Sequence, residues 1–295
     1  MRLVVSSNCI TAGLTLALHA FVPTADVIAF SYIDLSDERR QHLVSLLRES
    51  DVWVSGSTAA FRESIIHEVA SPALRVVSIP TMVFDAFHPD QVYAILEGGL
   101  PMETVAGPYN SAVALWAMRR GLTAEQALRL FTSEVFEGLG YTRRWPLAVD
   151  RLCTDLGEHG FDFREYLLPL KRGGVFMHSS DHPTVAAVAQ LARLIARRIG
   201  IEEQPLAEPV ERYMVDVLQH AGTVWPVYPA VATALGITGS FTWKLFTGQM
   251  VRLEDYVFGS FDMYERAGRP QFDCYEIDQP GYDGVLGRAL AAVAS

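Results

Sequence analysis

At 295 residues, 50% of them hydrophobic and 20% charged, the chain is long enough to bury a substantial core, as one large α/β domain or two smaller ones. Its 24 basic and 34 acidic residues leave a formal charge of −10, which argues against a general nucleic-acid binder while leaving room for a local basic pocket that takes a phosphorylated ligand. Cys9, Cys153 and Cys274 lie far apart without Cys-x-x-Cys spacing, so neither a disulfide framework nor a thiolate zinc site is expected, and a reducing, cytoplasmic setting fits.

The first apolar run, Leu3–Val5, is rich in β-branched residues and of buried-strand length. Ser6, Ser7 and Asn8 interrupt it too early for a signal peptide, and no stretch is apolar for long enough to span a membrane. Helical spacing begins near Ile10 with Leu14, Leu18 and Phe21, which places Cys9 at a strand-to-helix turn. Runs at Val27–Ile33, Val52–Val54 and Val76–Ile79 then alternate with helical patterns at Leu43–Leu47 and Phe61–Val69. This β-α-β-α-β-α-β order predicts a parallel sheet, and ligands of such sheets gather at the carboxyl ends of the strands. Those ends are Ser6–Cys9, the segment after Ile33, Ser55–Ser57 and Pro80–His88.

Beyond residue 100 helical patterns dominate: Tyr109–Arg120, Thr123–Phe136, Leu147–Leu156, Thr184–Ile199 and Glu208–Leu218. Gly121 suits a helix stop, and Thr123 with Gln126 three residues on is a capping-box signature. The Gln279–Gly284 segment reads as surface loop, and Trp225, Trp243 and Phe246 as either core or an interaction patch. The fold class is therefore α/β, with an N-terminal parallel-sheet block (SGNH/Rossmann-like) over residues 1–105. A largely α-helical portion, 106–295, completes the site and is expected to pack with the block as one compact unit.

Cys9 is the leading candidate for chemistry. At a helix mouth, unpaired N–H groups and the positive end of the dipole favour thiolate over thiol and lower a cysteine's pKa, although a small apolar residue packed beneath a sheet would look the same. A cysteine nucleophile needs a base and a group to orient it, and either His182 with Asp181 or His88 with Asp90 supplies both types. Pro183 suits the first turn of a helix, which puts His182 near the N-cap, and Asp181 reads first as a helix cap. His178 is either a ligand contact or a structural histidine. His19, ten residues beyond Cys9 on the same helix, faces either the cleft or the core.

No HExxH, HxH or paired-cysteine motif is present, so no metal is expected. The GxGxxG and GxxxxGK[ST] patterns are absent too, which removes the ordinary dinucleotide and P-loop readings. Lys171-Arg172-Gly173-Gly174 is the best cationic and flexible element, with Arg143-Arg144 next; each also reads as solvated surface.

Taken in order, the Ser7-Asn8-Cys9 turn, IPTMVFDAFHPD, GPYNSAVALWAMRRGLTAEQALRLF and MHSSDHPT resemble the WcbI-type capsular polysaccharide biosynthesis proteins over residue 1 to about 200. The resemblance implies a bacterial protein that binds coenzyme A and carries out acetyl transfer to a sugar. Of the family's Gly-Asn-Cys-Gln opening, Asn8 and Cys9 match, whereas Ser7 and Ile10 replace the glycine and glutamine. His88-Pro89-Asp90 and His182-Pro183 fit the family pattern, and its cysteine and following-helix histidine map onto Cys9 and His19.

The implied site places Cys9, His19, His88 and His182 in catalysis and Ser7, Asn8, Lys171, Arg172 and His178 at coenzyme A or acetyl-CoA. The acceptor would be a sugar, nucleotide-sugar or polysaccharide, the chain acting as a homo-oligomer or in a polysaccharide assembly complex. The opening also looks like that of SGNH esterases with cysteine in place of serine, so an esterase or deacetylase is an alternative. A non-catalytic coenzyme A-binding scaffold is another.

Overall fold

The computed structural model describes residues 1–32, 36–201 and 206–294. Four parallel strands form the N-terminal sheet: β1 (Arg2–Ser6), β2 (Asp26–Ala29), β3 (Val52–Ser55) and β4 (Arg75–Ser78), in the order β2-β1-β3-β4. Helices α1 (Thr11–Phe21), α2 (Asp37–Arg48) and α3 (Ala59–Val69) connect them. The second strand stops at Ala29, and the loop expected after Ile33 lies outside the described residues. Leu3, Val4, Val5, Trp53 and Val54 are completely buried, as central strands covered on both faces must be. On one face Val4 and Trp53 pack with Leu43, Val44 and Leu47 of α2 and Ile65 and Val69 of α3.

The rest of the chain comprises β5 (Gln91–Val92), β6 (Ile95–Leu96), β7 (Asn110–Ser111), α4 (Ala112–Arg119), α5 (Ala124–Leu128), α6 (Ser133–Gly138), α7 (Trp145–Glu158), α8 (Phe163–Arg172) and α9 (Val185–Arg198). It continues with α10 (Val217–Ala221), α11 (Pro229–Leu235), β8 (Thr242–Lys244), β9 (Met250–Arg252), α12 (Leu253–Arg266), β10 (Phe272–Asp273) and α13 (Pro280–Ala294). Helices carry this portion, as the α/β reading anticipates. Gly121 adopts φ +74° after α4, and Thr123 and Gln126 form the reciprocal capping box of α5.

Three sequence expectations are corrected. The pattern over Thr123–Phe136 is two helices, because the Thr132 hydroxyl accepts the Val135 N–H and starts α6. Glu208–Leu218 is a 3-10 turn at Val210–Tyr213 followed by the start of the short α10, with Pro209 immediately before the turn. Gln279–Gly284 enters α13: Pro280 is tolerated in a first turn, Tyr282 is buried, and Asp283 takes the Trp116 indole N–H at 2.7 Å.

The chain forms two compact units, neither a single stretch. One comprises Met1–Val83, Asp150–Met177 and Asp181–Leu218; the other comprises Phe84–Val149, His178–Ser180 and Gln219–Ser295. In the first, α1 packs on α9 closely enough that a Cβ on Gly13 would stand 3.1 Å from Val188 Cγ1. In the second, Trp243 stacks on Tyr256 at 4.5 Å and meets Trp225 edge-on at 5.6 Å, so both tryptophans are core while Phe246 is exposed. Among the described residues no helix is long and apolar enough to cross a membrane.

Candidate active site

The connection from β1 runs to β2 on one side, whereas β3 continues to β4 on the other, so strand order reverses between β1 and β3. The carboxyl ends flanking such a reversal form a crevice in open α/β sheets. Here it is bounded by the turn after β1, which carries Ser7, Asn8 and Cys9, and the turn after β3, which carries Gly56 and Ser57. The Gly56 N–H donates to the Ser6 carbonyl at 2.9 Å, and the Tyr32 hydroxyl donates to the Gly56 carbonyl at 2.7 Å. Gly56 and Tyr32 carry no catalytic motif, and only their position at strand ends would have marked them.

The first turn is held by its own short polar groups. Ser7 N–H donates to Thr11 Oγ1 at 3.0 Å, Thr11 Oγ1 donates to the Asn8 carbonyl at 2.7 Å, and Ile10 N–H donates to Asn8 Oδ1 at 3.3 Å. Ser7 is therefore buried within the turn, and Asn8 spends its carboxamide oxygen on the backbone while its Nδ2 has no acceptor among the described residues. Helix α1 has no side-chain cap at Ile10, and the Ala12 and Gly13 N–H groups have no acceptor among the described residues.

Cys9 is half-buried beside these donors and lines a narrow cleft whose free space is about 10 Å³. Ile10, Gly13, Val185, Val188, Val217 and Leu218 make its wall mainly apolar. The expected lowering of the thiol pKa is overturned. Burial, then the Asp181 carboxylate, push it up to about 11, outweighing the Cys9 and Ile10 backbone N–H groups that favour thiolate. Cys9 at neutral pH is a thiol.

Asp181 does not cap α9, contrary to its sequence reading. Thr184, extended at φ −67° and ψ 165°, is the N-cap, because Pro183 lies a residue further out and pairs with Met177. The α9 Val185 N–H goes instead to Asp216 Oδ2 at 2.9 Å, an acceptor the sequence did not flag. His182 Nδ1 lies 4.0 Å from Asp181 Oδ1, both side chains being partly exposed.

The remaining candidates fall in both units. His19 is exposed in the last turn of α1, about 12 Å along the axis from the helix's first residue. Lys171 and Arg172 are exposed in the last turn of α8, where cations complement the helix dipole. Arg143 is exposed, and Arg144 is tied to Asp85 at 2.7 Å. His88 and His178 belong to the second unit, and both are buried. His88 Nδ1 lies 3.4 Å from the Pro226 carbonyl, and the His178 carbonyl accepts the Trp225 N–H at 2.7 Å.

In that second unit Asp90 is completely buried. It accepts the Val113 N–H at 3.1 Å and the hydroxyls of Tyr141 at 3.0 Å and Tyr228 at 2.8 Å. Burial raises its carboxyl to about 6 against these donors. Tyr141 in turn is hydrogen-bonded to Tyr282. The His88-Pro89-Asp90 segment thus supplies the centre of a buried hydrogen-bond network.

Comparison with curated proteins and comparison with solved structures each gave no match. The family model described as Polysaccharide biosynthesis enzyme WcbI matches residues 2–204, more than half of the chain and every turn of the sheet's carboxyl edge. The chain belongs to the WcbI polysaccharide biosynthesis enzyme family.

Proposed function

We propose that the protein transfers an acetyl group from a coenzyme A thioester to a sugar hydroxyl, with Cys9 at the reacting end of the site. The observation that carries this reading is the half-buried Cys9 thiol at the wall of an apolar cleft, beside a strand-order reversal, in a chain of a polysaccharide biosynthesis family. The apolar lining of this narrow cleft suits the slender thiol-bearing arm of coenzyme A rather than its polar nucleotide. When bound, the cofactor supplies an acyl carbon activated as a thioester.

The chain's own groups then divide the work. Ile10, Val185, Val188 and Leu218 exclude water from the arm and hold it against Cys9. Asn8 Nδ2 and the Ala12 and Gly13 N–H groups donate to negative charge developing on the carbonyl oxygen. His182, with Asp181 at 4.0 Å, would take a proton, either from Cys9 as the thiol takes the acyl group and coenzyme A leaves with that proton, or from the acceptor hydroxyl while Cys9 positions the thioester and coenzyme A leaves as its thiol. A thiol raised to about 11 needs such a base, because little thiolate is present beforehand.

Acetyl transfer from labelled acetyl-CoA to a panel of nucleotide-sugars and oligosaccharides tests the reading, with Cys9→Ala and Cys9→Ser alongside. Transfer that both variants abolish supports a covalent role, and transfer that Cys9→Ser keeps supports positioning. Full transfer by both variants removes Cys9 from the reaction. Acetate release from acetylated sugars without coenzyme A would instead establish the hydrolase.

A further inference from the structure

A second and larger cavity of about 410 Å³, open to solvent, lies in the same compact unit at the carboxyl ends of β3 and β4. Its wall is polar where the Cys9 cleft is apolar: Ser57, Thr58, Arg62, Thr81, Glu158 and His159 line it. Arg62 has no carboxylate partner among the described residues; its guanidinium donates to the Ser57 carbonyl and keeps its other donors for the cavity. Glu158, exposed at the rim, forms no ion pair with it.

The His159 ring is hydrogen-bonded to the Ser78 backbone, and its buried Nδ1 has no hydrogen-bond partner among the described residues. Burial and the Arg62 cation hold its pKa below the usual histidine value, which places the two side chains in one field. Thr58 caps α3 by accepting the Phe61 N–H, so the N-terminal turn of α3, with Ala59, also lines the cavity. The dipole of that helix adds to Arg62 in favouring an anion, in a chain whose net charge is −10.

We propose that this cavity binds a phosphoryl group, with Arg62 as its principal cation and His159 as a neutral hydrogen-bonding partner. A guanidinium with several free donors matches the oxygens of a phosphate, and the cavity is large enough for the nucleoside that carries it. The phosphate belongs either to the nucleotide end of coenzyme A or to a nucleotide-sugar acceptor; both present the same chemistry to Arg62. The site does not rest on the acyl-transfer reading, since none of its residues lines the Cys9 cleft.

Calorimetric titration of the full chain with adenosine 3′,5′-bisphosphate, with UDP and with inorganic phosphate tests the proposal, on wild type, Arg62→Gln, Thr81→Glu and Cys9→Ala. Saturable binding of either nucleotide is expected, competed by inorganic phosphate and weakened at least about tenfold by Arg62→Gln. Thr81 is exposed, so Thr81→Glu adds a like charge at the mouth without repacking; it should weaken binding too, and it decides the matter if Arg62→Gln fails to fold. Preference for the bisphosphate assigns the site to the cofactor, and preference for UDP assigns it to the acceptor. Unchanged binding in Cys9→Ala separates this site from the acyl-transfer reading. Absence of saturable binding to all three probes, or affinity unaltered in both cavity variants, overturns the proposal.

Discussion

Gly56 packs directly against Ser7: a Cβ at Gly56 would overlap the Ser7 hydroxyl and stand 3.1 Å from the Ser7 Cβ. The two turns at the strand-order reversal are thereby fixed to one another, and Cys9 follows Ser7 by two residues. Gly56→Ala should destabilise the fold by about 1–3 kcal/mol, the cost of overpacking a tight contact. Denaturant unfolding measures it; a change below about 0.5 kcal/mol would show that the turn accommodates the methyl group.

Cys9 should react slowly with iodoacetamide at neutral pH and faster as pH rises toward about 11. Asp181 raises the thiol, so Asp181→Asn should lower its pKa and move the alkylation profile to lower pH. Mass spectrometry of the Cys9 peptide across pH reads both effects. A profile centred near 8.5, that of a free cysteine, would contradict the burial and charge argument.

Asp90 carries the opposite consequence for stability. Its folded-state pKa is raised from 3.8 to about 6, so the folded state binds its proton more tightly than the unfolded state does. The stabilisation is fully present below about pH 4 and is lost as pH rises through about 6. Comparing unfolding midpoints of wild type and Asp90→Asn between pH 4 and 7 isolates this term. Wild type should lose more stability than the variant over that interval, and parallel curves would contradict the assignment.

Much of this was legible in the sequence. Periodicity marked β1 and β3 because central strands are continuously apolar, α1 and α3 because connecting helices keep an apolar stripe, and the edge strand β4 by its β-branched Val76 and Val77. Cys9 stood out because the period changes there. The Asp181 reading failed because the N-cap is Thr184, three residues onward and just past Pro183, while Asp216, from a distant segment, supplies the acceptor for Val185. The thiol pKa was equally hidden: the helix mouth is visible in the sequence, but burial and a carboxylate 172 residues away are tertiary facts. Arg62 and His159 gave no motif at all, since their significance lies in facing one cavity without an ion-pair partner.

Lys244 donates from Nζ to the carbonyls of Gln219, His220 and Gly222 at 2.6, 2.8 and 2.9 Å, closing the end of α10. Lys244→Met keeps the aliphatic length and removes all three donors. A loss of about 1–3 kcal/mol is expected, because the Gly222 carbonyl is partly buried and the donor is charged. Thermal unfolding checks it, and an unchanged midpoint would mean that water replaces the ammonium without cost.

Titration of the full chain with coenzyme A, on wild type and on Val188→Phe, tests the central claim most directly. Val188 lines the Cys9 cleft and packs against Gly13, so the larger ring fills the space assigned to the cofactor's arm. Saturable binding by wild type, weakened at least about tenfold in a folded Val188→Phe, is the predicted result. No binding by wild type, or equal affinity for both proteins, would contradict the placement of the thioester at Cys9.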